Sequence, residues 1–189
     1  MLTEKFRNIF SGITANIGKT LGKTGLPPNF FTSLTLIFGL AGAYFIYAEK
    51  FSFAIIFILI SGLMDLTDGA VAKTNNKETK FGALFDSTTD KTTEISWYIA
   101  FGLYNSELWI ATSLAISFFM LSSYISKHAK VSGGKGGGGI MERKERVILI
   151  ISGLIFVNYL LYFLYIIAIF SFITCIQRFF RNYKILNSL

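Results

Sequence analysis

The sequence predicts an all-α integral membrane protein: six transmembrane helices preceded by an N-terminal amphipathic helix lying at the interface. Three observations carry that reading. Hydrophobic residues make up 52% of the 189 and mean hydropathy is +0.54, more apolar than a soluble domain. Apolar runs of roughly bilayer length alternate with short polar turns. Lysines and arginines gather in alternate turns, as in a chain threaded back and forth with its basic loops on one side. A net charge of +7 then belongs to those loops and to lipid headgroups, not to nucleic acid. The single cysteine, Cys175, excludes an internal disulfide and a paired-cysteine metal site, and is read as packing.

At the N-terminus Phe6, Ile9, Phe10, Ile13, Ile17 and Leu21 recur at three- and four-residue steps, with Lys5, Arg7 and Lys19 between them. Residues 1–25 are therefore expected to lie flat on the membrane surface as the amphipathic helix, not to act as a signal peptide. Gly25 and the Pro27-Pro28 pair end it. The first span is 30–48, with Glu49 and Lys50 at the far interface. The second runs from Phe51 to about Val71, and Lys73 to Lys80 form a polar, basic turn. The third runs from Phe81 to about Tyr104, and the fourth from Leu108 to Tyr124, ending in SKHAK. The glycine-rich stretch VSGGKGGGGIMERKER is read as a mobile linker. From Val147 to Ile176 the apolar run exceeds one span, so two helices are expected, broken near Asn158 to Tyr162. Residues 1–189 form one domain on this reading, with the six-helix bundle over 29–185.

Charge sets the orientation. With the N-terminus in the cytoplasm, the inner turns hold Lys73, Lys77, Lys80, Lys127, Lys130, Arg143, Arg146, Arg178 and Arg181, whereas the outer loops hold only Lys50. The chain is thus expected to be a multi-pass protein of the cell membrane with its site facing the cytoplasm.

That site is marked by the aspartates. All four in the chain, Asp65, Asp68, Asp86 and Asp90, fall on either side of the Lys73–Lys80 turn. An ionised carboxylate facing hydrocarbon costs about 2.5–3.5 kcal/mol, so they must share a polar chamber with something positive. Asp65 and Asp68 are three apart and Asp86 and Asp90 four apart, so each pair shares a helix face. The turn brings the two helices antiparallel and the pairs together. Carboxylates without histidine or cysteine make a hard-oxygen site suited to Mg²⁺ or Mn²⁺ and poor for zinc. Two ions about 3.5–4 Å apart would clamp a pyrophosphate. Gly69 and Gly82 offer backbone that a ligand can approach closely.

The spacing D-x2-D-G-x2-A-x9-G-x3-D-x3-D, carried by Asp65, Asp68, Gly69, Ala72, Gly82, Asp86 and Asp90, resembles the signature of the CDP-alcohol phosphotransferases. The resemblance implies an integral-membrane enzyme that moves a substituted phosphoryl group from a CDP-linked lipid to an alcohol, releasing CMP. It implies that Asp65, Asp68 and Asp86 hold the metals, with Asp90 at the edge of that set and acting as general base toward the acceptor hydroxyl. Asn29 and Thr32 resemble the P-N-x2-T element that opens the first span. With Asp68, Gly69, Lys73, Thr79 and Gly82 they are the expected contacts to the CDP-lipid. Lys73 stands where the family usually has arginine, keeping the charge but not the bidentate fork. A homodimer is also implied.

Six cations, Lys127, Lys130, Arg143, Arg146, Arg178 and Arg181, fall at the inner ends of spans four to six and suit an acceptor that carries phosphate. G-I-M-E-R-K-E-R and the later Q-R-x2-R resemble the branch that uses inositol phosphate. The resemblance therefore implies inositol 1-phosphate as acceptor and CDP-diacylglycerol or CDP-archaeol as donor, with glycerol 3-phosphate or glycerol 1-phosphate the nearest rivals. His128 is given no chemistry, and Glu142 and Glu145 are expected to orient neighbouring arginines. The rival reading outside enzymes is a cation channel or carrier. A conduit would spread polar residues through the membrane depth, whereas here the outer halves of the spans hold almost none.

Overall fold

The computed structural model describes residues 25–187, which form helices and the turns and loops between them, with no strand among them. The helices are α1 Pro28–Tyr47, α2 Phe51–Thr74, α3 Lys80–Tyr104, α4 Trp109–Val131, α5 Arg143–Ile155 and α6 Leu160–Leu186. Single 3₁₀ turns at Ser106–Leu108 and Val157–Tyr159 lead into α4 and α6. The amphipathic helix expected over 1–25 lies, but for Gly25, outside the described residues.

Four of these elements are long and apolar enough to cross a membrane: Pro28–Tyr47, Phe51–Thr74, Ser106–Val131 and Val157–Leu186. The third helix has the length, at 25 residues, but carries Asp86, Asp90, Lys91 and Glu94 within it. The fifth has 13 residues, roughly 20 Å of helix against a hydrocarbon core of about 30 Å. Six helices are therefore present where six spans are expected, and four of them qualify on length and composition.

Local chemistry explains the breaks. Between α1 and α2, Glu49 takes a left-handed conformation (φ 60) and its N–H donates to Ile46 O at 3.1 Å. Between α2 and α3, Asn76 does the same (φ 53), a conformation asparagine tolerates better than most residues. Thr79 then stands before α3 and accepts the Gly82 N–H at 2.9 Å, an N-cap bond that satisfies one of the helix's orphan amides. The break after α5 covers residues 156–159, starting at Phe156 (ψ 61) and overlapping the stretch expected from Asn158 to Tyr162. Gly153 stands just ahead of it: a Cβ there would stand 2.8 Å from Leu160 Cδ1 and 3.3 Å from Phe163 Cβ. The missing side chain leaves room for Leu160 and Phe163 of α6 to pack closely against α5.

The chain divides into two compact units. The first holds residues up to Phe45 and Phe53–Trp97. Here α1 turns a stripe of small and hydroxyl side chains inward, including Thr32, Thr35, Gly39 and Gly42. Ser61 on α2 donates to Thr35 O at 2.8 Å, and the Trp97 indole on α3 donates to Gly39 O at 2.8 Å. A Cβ at Gly39 would collide with the Thr93 side chain. Small residues thus let three backbones approach, and side-chain donors reach carbonyls across the gap, which is how helices associate where lipid offers no hydrophobic drive.

The second unit comprises Ile46–Ser52 and Tyr98–Leu189. Its axis is the pairing of α4 with α6, and α5 packs on α6. Phe119, fully buried, is packed by Tyr98 at 5.8 Å between ring centroids. Arg146 lies over the same ring at 4.9 Å. Cys175 is buried, as expected for a packing residue, and its thiol donates to Phe118 O at 3.1 Å.

The glycine-rich stretch departs from the mobile linker expected of it. Gly133, Gly137, Gly138 and Gly139 all have positive φ, a path open to glycine at little cost. That path is tied down at both edges. Gly137 N–H donates to Ser126 Oγ at 2.8 Å and Gly138 N–H to Glu142 Oε1 at 3.0 Å. Arg178 Nε donates to Gly138 O at 2.6 Å, and Arg181 donates to Gly137 O. Glycine content predicts freedom in the unfolded chain. It does not predict which carbonyls two arginines will capture.

Candidate active site

Asp65 and Asp68 sit one helical turn apart near the end of α2, and Asp86 sits in the second turn of α3. The Asn76 turn brings the two helices side by side. Each of the three carboxylates presents an oxygen within 4.8 Å of the others. Asp68 is buried, with 6% exposure, and the other two are half-buried. Anionic groups this close repel one another strongly unless a cation lies among them. The donor set fits that cation: carboxylate oxygens, with no histidine or cysteine in the cluster. Asp90 lies outside this set of three, one turn further along α3 and half-buried.

Beside the carboxylates opens a cavity of about 480 Å³. Asp68 and Asp86 form part of its wall, and so do Asn29, Thr32, Gly69, Thr79 and Gly82 of the expected CDP-lipid contacts. Lys73 is the one of those contacts absent from the wall. Lys77 and Lys80, named from the sequence only as topological charges, line it instead, together with Glu78 and Ala72. Their place in the turn between the two aspartate pairs was the available clue. A Cβ at Gly69 would meet nothing within 4 Å, so this backbone faces open space and a ligand can reach it. At Gly82 a Cβ would stand 2.9 Å from Thr79 Oγ1 and 3.3 Å from Asn29 Oδ1, which shows how closely those polar groups converge. Thr32 Oγ1 donates to Asp68 Oδ2 at 2.6 Å across the α1–α2 contact.

The six cations expected to meet the acceptor lie in the second unit, and the structure divides them by environment. Lys127 and Lys130 are exposed, and the Lys130 stem runs against Gly136. Arg143 and Arg181 are half-buried, whereas Arg146 and Arg178 are buried. Arg178 commits Nε and Nη1 to protein carbonyls. Besides Gly138 O it reaches Ser122 O at 2.8 Å, and its Nη2 stands 3.9 Å from Glu142 Oε1. Arg146 Nη1 donates to Met141 O at 3.3 Å. Glu142 does lie beside an arginine, as expected, but it also shares with Glu145 a reciprocal capping box at the start of α5. His128, given no chemistry, is exposed with its ring 4.4 Å from that of Tyr124. Glu94, a turn beyond Asp90, is fully buried.

Comparison with known proteins places these features in a family. The sequence model described as CDP-alcohol phosphatidyltransferase matches residues 26–177. A phosphatidylinositol phosphate synthase from Mycobacterium tuberculosis is 33% identical over 189 residues, covering 91% of this chain and 86% of that one. An archaetidylinositol phosphate synthase from Pyrococcus horikoshii is 34% identical over 169 residues, covering 89% of each. Among solved structures, the M. tuberculosis phosphatidylinositol phosphate synthase with CDP-DAG bound superposes with a TM-score of 0.81 at 28% identity, covering 90% of this chain and 94% of that one. The same enzyme has been solved in complex with manganese and citrate, also at a TM-score of 0.81 and 28% identity, covering 90% of this chain and 88% of that one.

Proposed function

Because the chain belongs to the CDP-alcohol phosphatidyltransferase family, we propose that it transfers a phosphatidyl or archaetidyl group from a CDP-linked lipid to inositol 1-phosphate, with release of CMP. The observation that carries this reading is the three-carboxylate cluster opening into the cavity walled by Asn29, Gly69, Thr79 and Gly82. Two relatives are named as a phosphatidylinositol phosphate synthase and an archaetidylinositol phosphate synthase, the first solved with CDP-DAG and with manganese.

Asp65, Asp68 and Asp86 would hold Mg²⁺ or Mn²⁺, with Asp90 at the edge of the set. Bound there, divalent ions neutralise the diphosphate and the charge that develops on it during displacement. The chain's own groups do the rest. Asn29, Thr79 and the bare backbone at Gly69 and Gly82 receive the nucleotide, with Lys77 and Lys80 supplying positive charge along the same wall. Lys73 contributes from the end of α2. Asp90 takes the proton of the acceptor hydroxyl, whose oxygen forms a bond to the lipid-bearing phosphorus. The bond from that phosphorus to the bridging oxygen breaks, and CMP leaves with the oxygen. Lys127, Lys130, Arg143, Arg146 and Arg181 provide the charge for the acceptor's phosphate, and Arg178 supports them by holding the glycine loop.

The membrane arrangement belongs to the same proposal. All six helices contribute to one multi-pass catalytic domain of the cell membrane, with the aspartates facing the cytoplasm. The basic turns support that orientation. A homodimer follows from the family resemblance. The cation channel or carrier reading gains no support from the family.

Purified protein incubated with Mg²⁺ or Mn²⁺ and CDP-diacylglycerol or CDP-archaeol is expected to release CMP with inositol 1-phosphate. Little release is expected with glycerol 3-phosphate, glycerol 1-phosphate, serine or free inositol. Preferential turnover of a glycerol phosphate would reassign the acceptor, and CMP release that survives a chelator would remove the metal.

A further inference from the structure

The contact between Thr32 and Asp68 gives that threonine a part its place in the P-N-x2-T element does not announce. Thr32 is 2% exposed, and its hydroxyl has one proton to give. Two acceptors compete for it: Asp68 Oδ2 at 2.6 Å and Pro28 O at 3.4 Å. The shorter, charge-assisted bond takes the proton. A hydroxyl so engaged offers only lone pairs to a ligand, and a phosphate oxygen is repelled by lone pairs. Thr32 therefore lines the cavity without being able to donate to a nucleotide phosphate.

We propose that Thr32 is a positioning residue for the metal site. By donating to Oδ2 it holds the Asp68 carboxylate in the orientation in which the three acid groups converge within 4.8 Å. Three features of the surroundings carry this. Asp68 is the one buried carboxylate of the three, so it has the least access to water that could replace a lost donor. Threonine is branched at Cβ and has few settings of its first side-chain torsion in a helix, so a hydroxyl engaged with Oδ2 has little room to turn away. The bond also crosses from α1 to α2, tying the turn that carries Asn29 to the helix that carries two metal ligands. Outer partners that fix a ligating carboxylate typically matter 10- to 100-fold for metal affinity.

The inference rests on the metal reading of the aspartates, and the test separates the two. Mn²⁺ is titrated into full-length protein in detergent, without nucleotide, and free ion is read by electron paramagnetic resonance. Wild type is expected to bind. Thr32→Val, which keeps the shape and removes the donor, is expected to weaken Mn²⁺ about 10- to 100-fold, and Thr32→Ser to stay within about threefold of wild type. Thr32→Ala serves as the second donor-free variant should Thr32→Val fail to fold. Unchanged Mn²⁺ affinity in either donor-free variant overturns the inference, all the more if CDP-lipid affinity falls. So does a Thr32→Ser variant as weak as they are, since packing would then be the cause. Wild-type protein that binds no Mn²⁺ overturns the metal reading itself.

Discussion

Two side chains with the same charge, one helical turn apart, have different work in the proposed reaction. Asp86 joins Asp65 and Asp68 in the cluster, and Asp90 stands beyond it. Geometry alone supports that split, because a group already committed to metal is a poor acceptor for a proton, whereas one outside the set remains basic. Asp90→Asn keeps the size and hydrogen-bonding capacity and removes the basicity. It is expected to lower CMP release by at least 10²-fold, the scale of general-base catalysis, while Mn²⁺ affinity stays within about threefold, since most of the ligand set is intact. Steady-state CMP release paired with Mn²⁺ titration checks this. Turnover near wild type would take the base role from Asp90. At the same scale the sequence was a good guide to residue type and a less complete one to contact. It placed Thr32 and Lys73 among the nucleotide contacts on the strength of a motif. The structure sets Thr32 in the cavity wall with its hydroxyl on Asp68, and Lys77 and Lys80 line that wall where Lys73 does not. Motif position reports which residues act together. It does not report which way a hydroxyl or an ammonium turns.

At the level of elements, the glycine loop and α6 form one construction. Four left-handed glycines shape a path whose carbonyls face α6, and Arg178 and Arg181 are spaced to reach them. The two arginines nevertheless differ. Arg178 is buried with bonds to Gly138 O and Ser122 O, while Arg181 is half-buried at the loop's outer edge. Arg178→Ala should therefore behave as a stability variant. Losing two charged hydrogen bonds is worth about 3 kcal/mol or more, readable as a lowered unfolding transition in detergent with both substrates affected. Arg143→Ala and Arg181→Ala should raise KM for the acceptor several-fold with little change in KM for the CDP-lipid. Equal losses for both substrates in those variants would remove them from the acceptor pocket. The fifth helix carries a related lesson. Its capping box, built from Glu142 and Glu145, was hidden from sequence because glutamate is an uncommon residue at that first position. Its end was only roughly placed because the apolar run continues unbroken through Phe156.

For the whole molecule the testable question is which way it threads the membrane. The lone native cysteine is buried, so introduced cysteines can report sidedness against a silent background. In intact cells, Asn76→Cys in the basic α2–α3 turn is expected to resist a membrane-impermeant maleimide and to react only after permeabilisation. Lys50→Cys in the α1–α2 turn is expected to react at once. The opposite pattern would invert the topology and place the aspartates on the outer face. What the sequence determined unaided was the class of the molecule, its helix order and the chemistry of its acid cluster. These follow from composition, from apolar period and length, and from the expense of leaving carboxylates in lipid, all of which are properties of residues and their neighbours along the chain. What only the tertiary structure decided was partnership: Thr32 with Asp68, Arg178 with Gly138 and Ser122, and Gly153 with Leu160. Those pairings join residues on different elements, and a directional bond between them depends on where the helices come to rest, which no local pattern in the chain records.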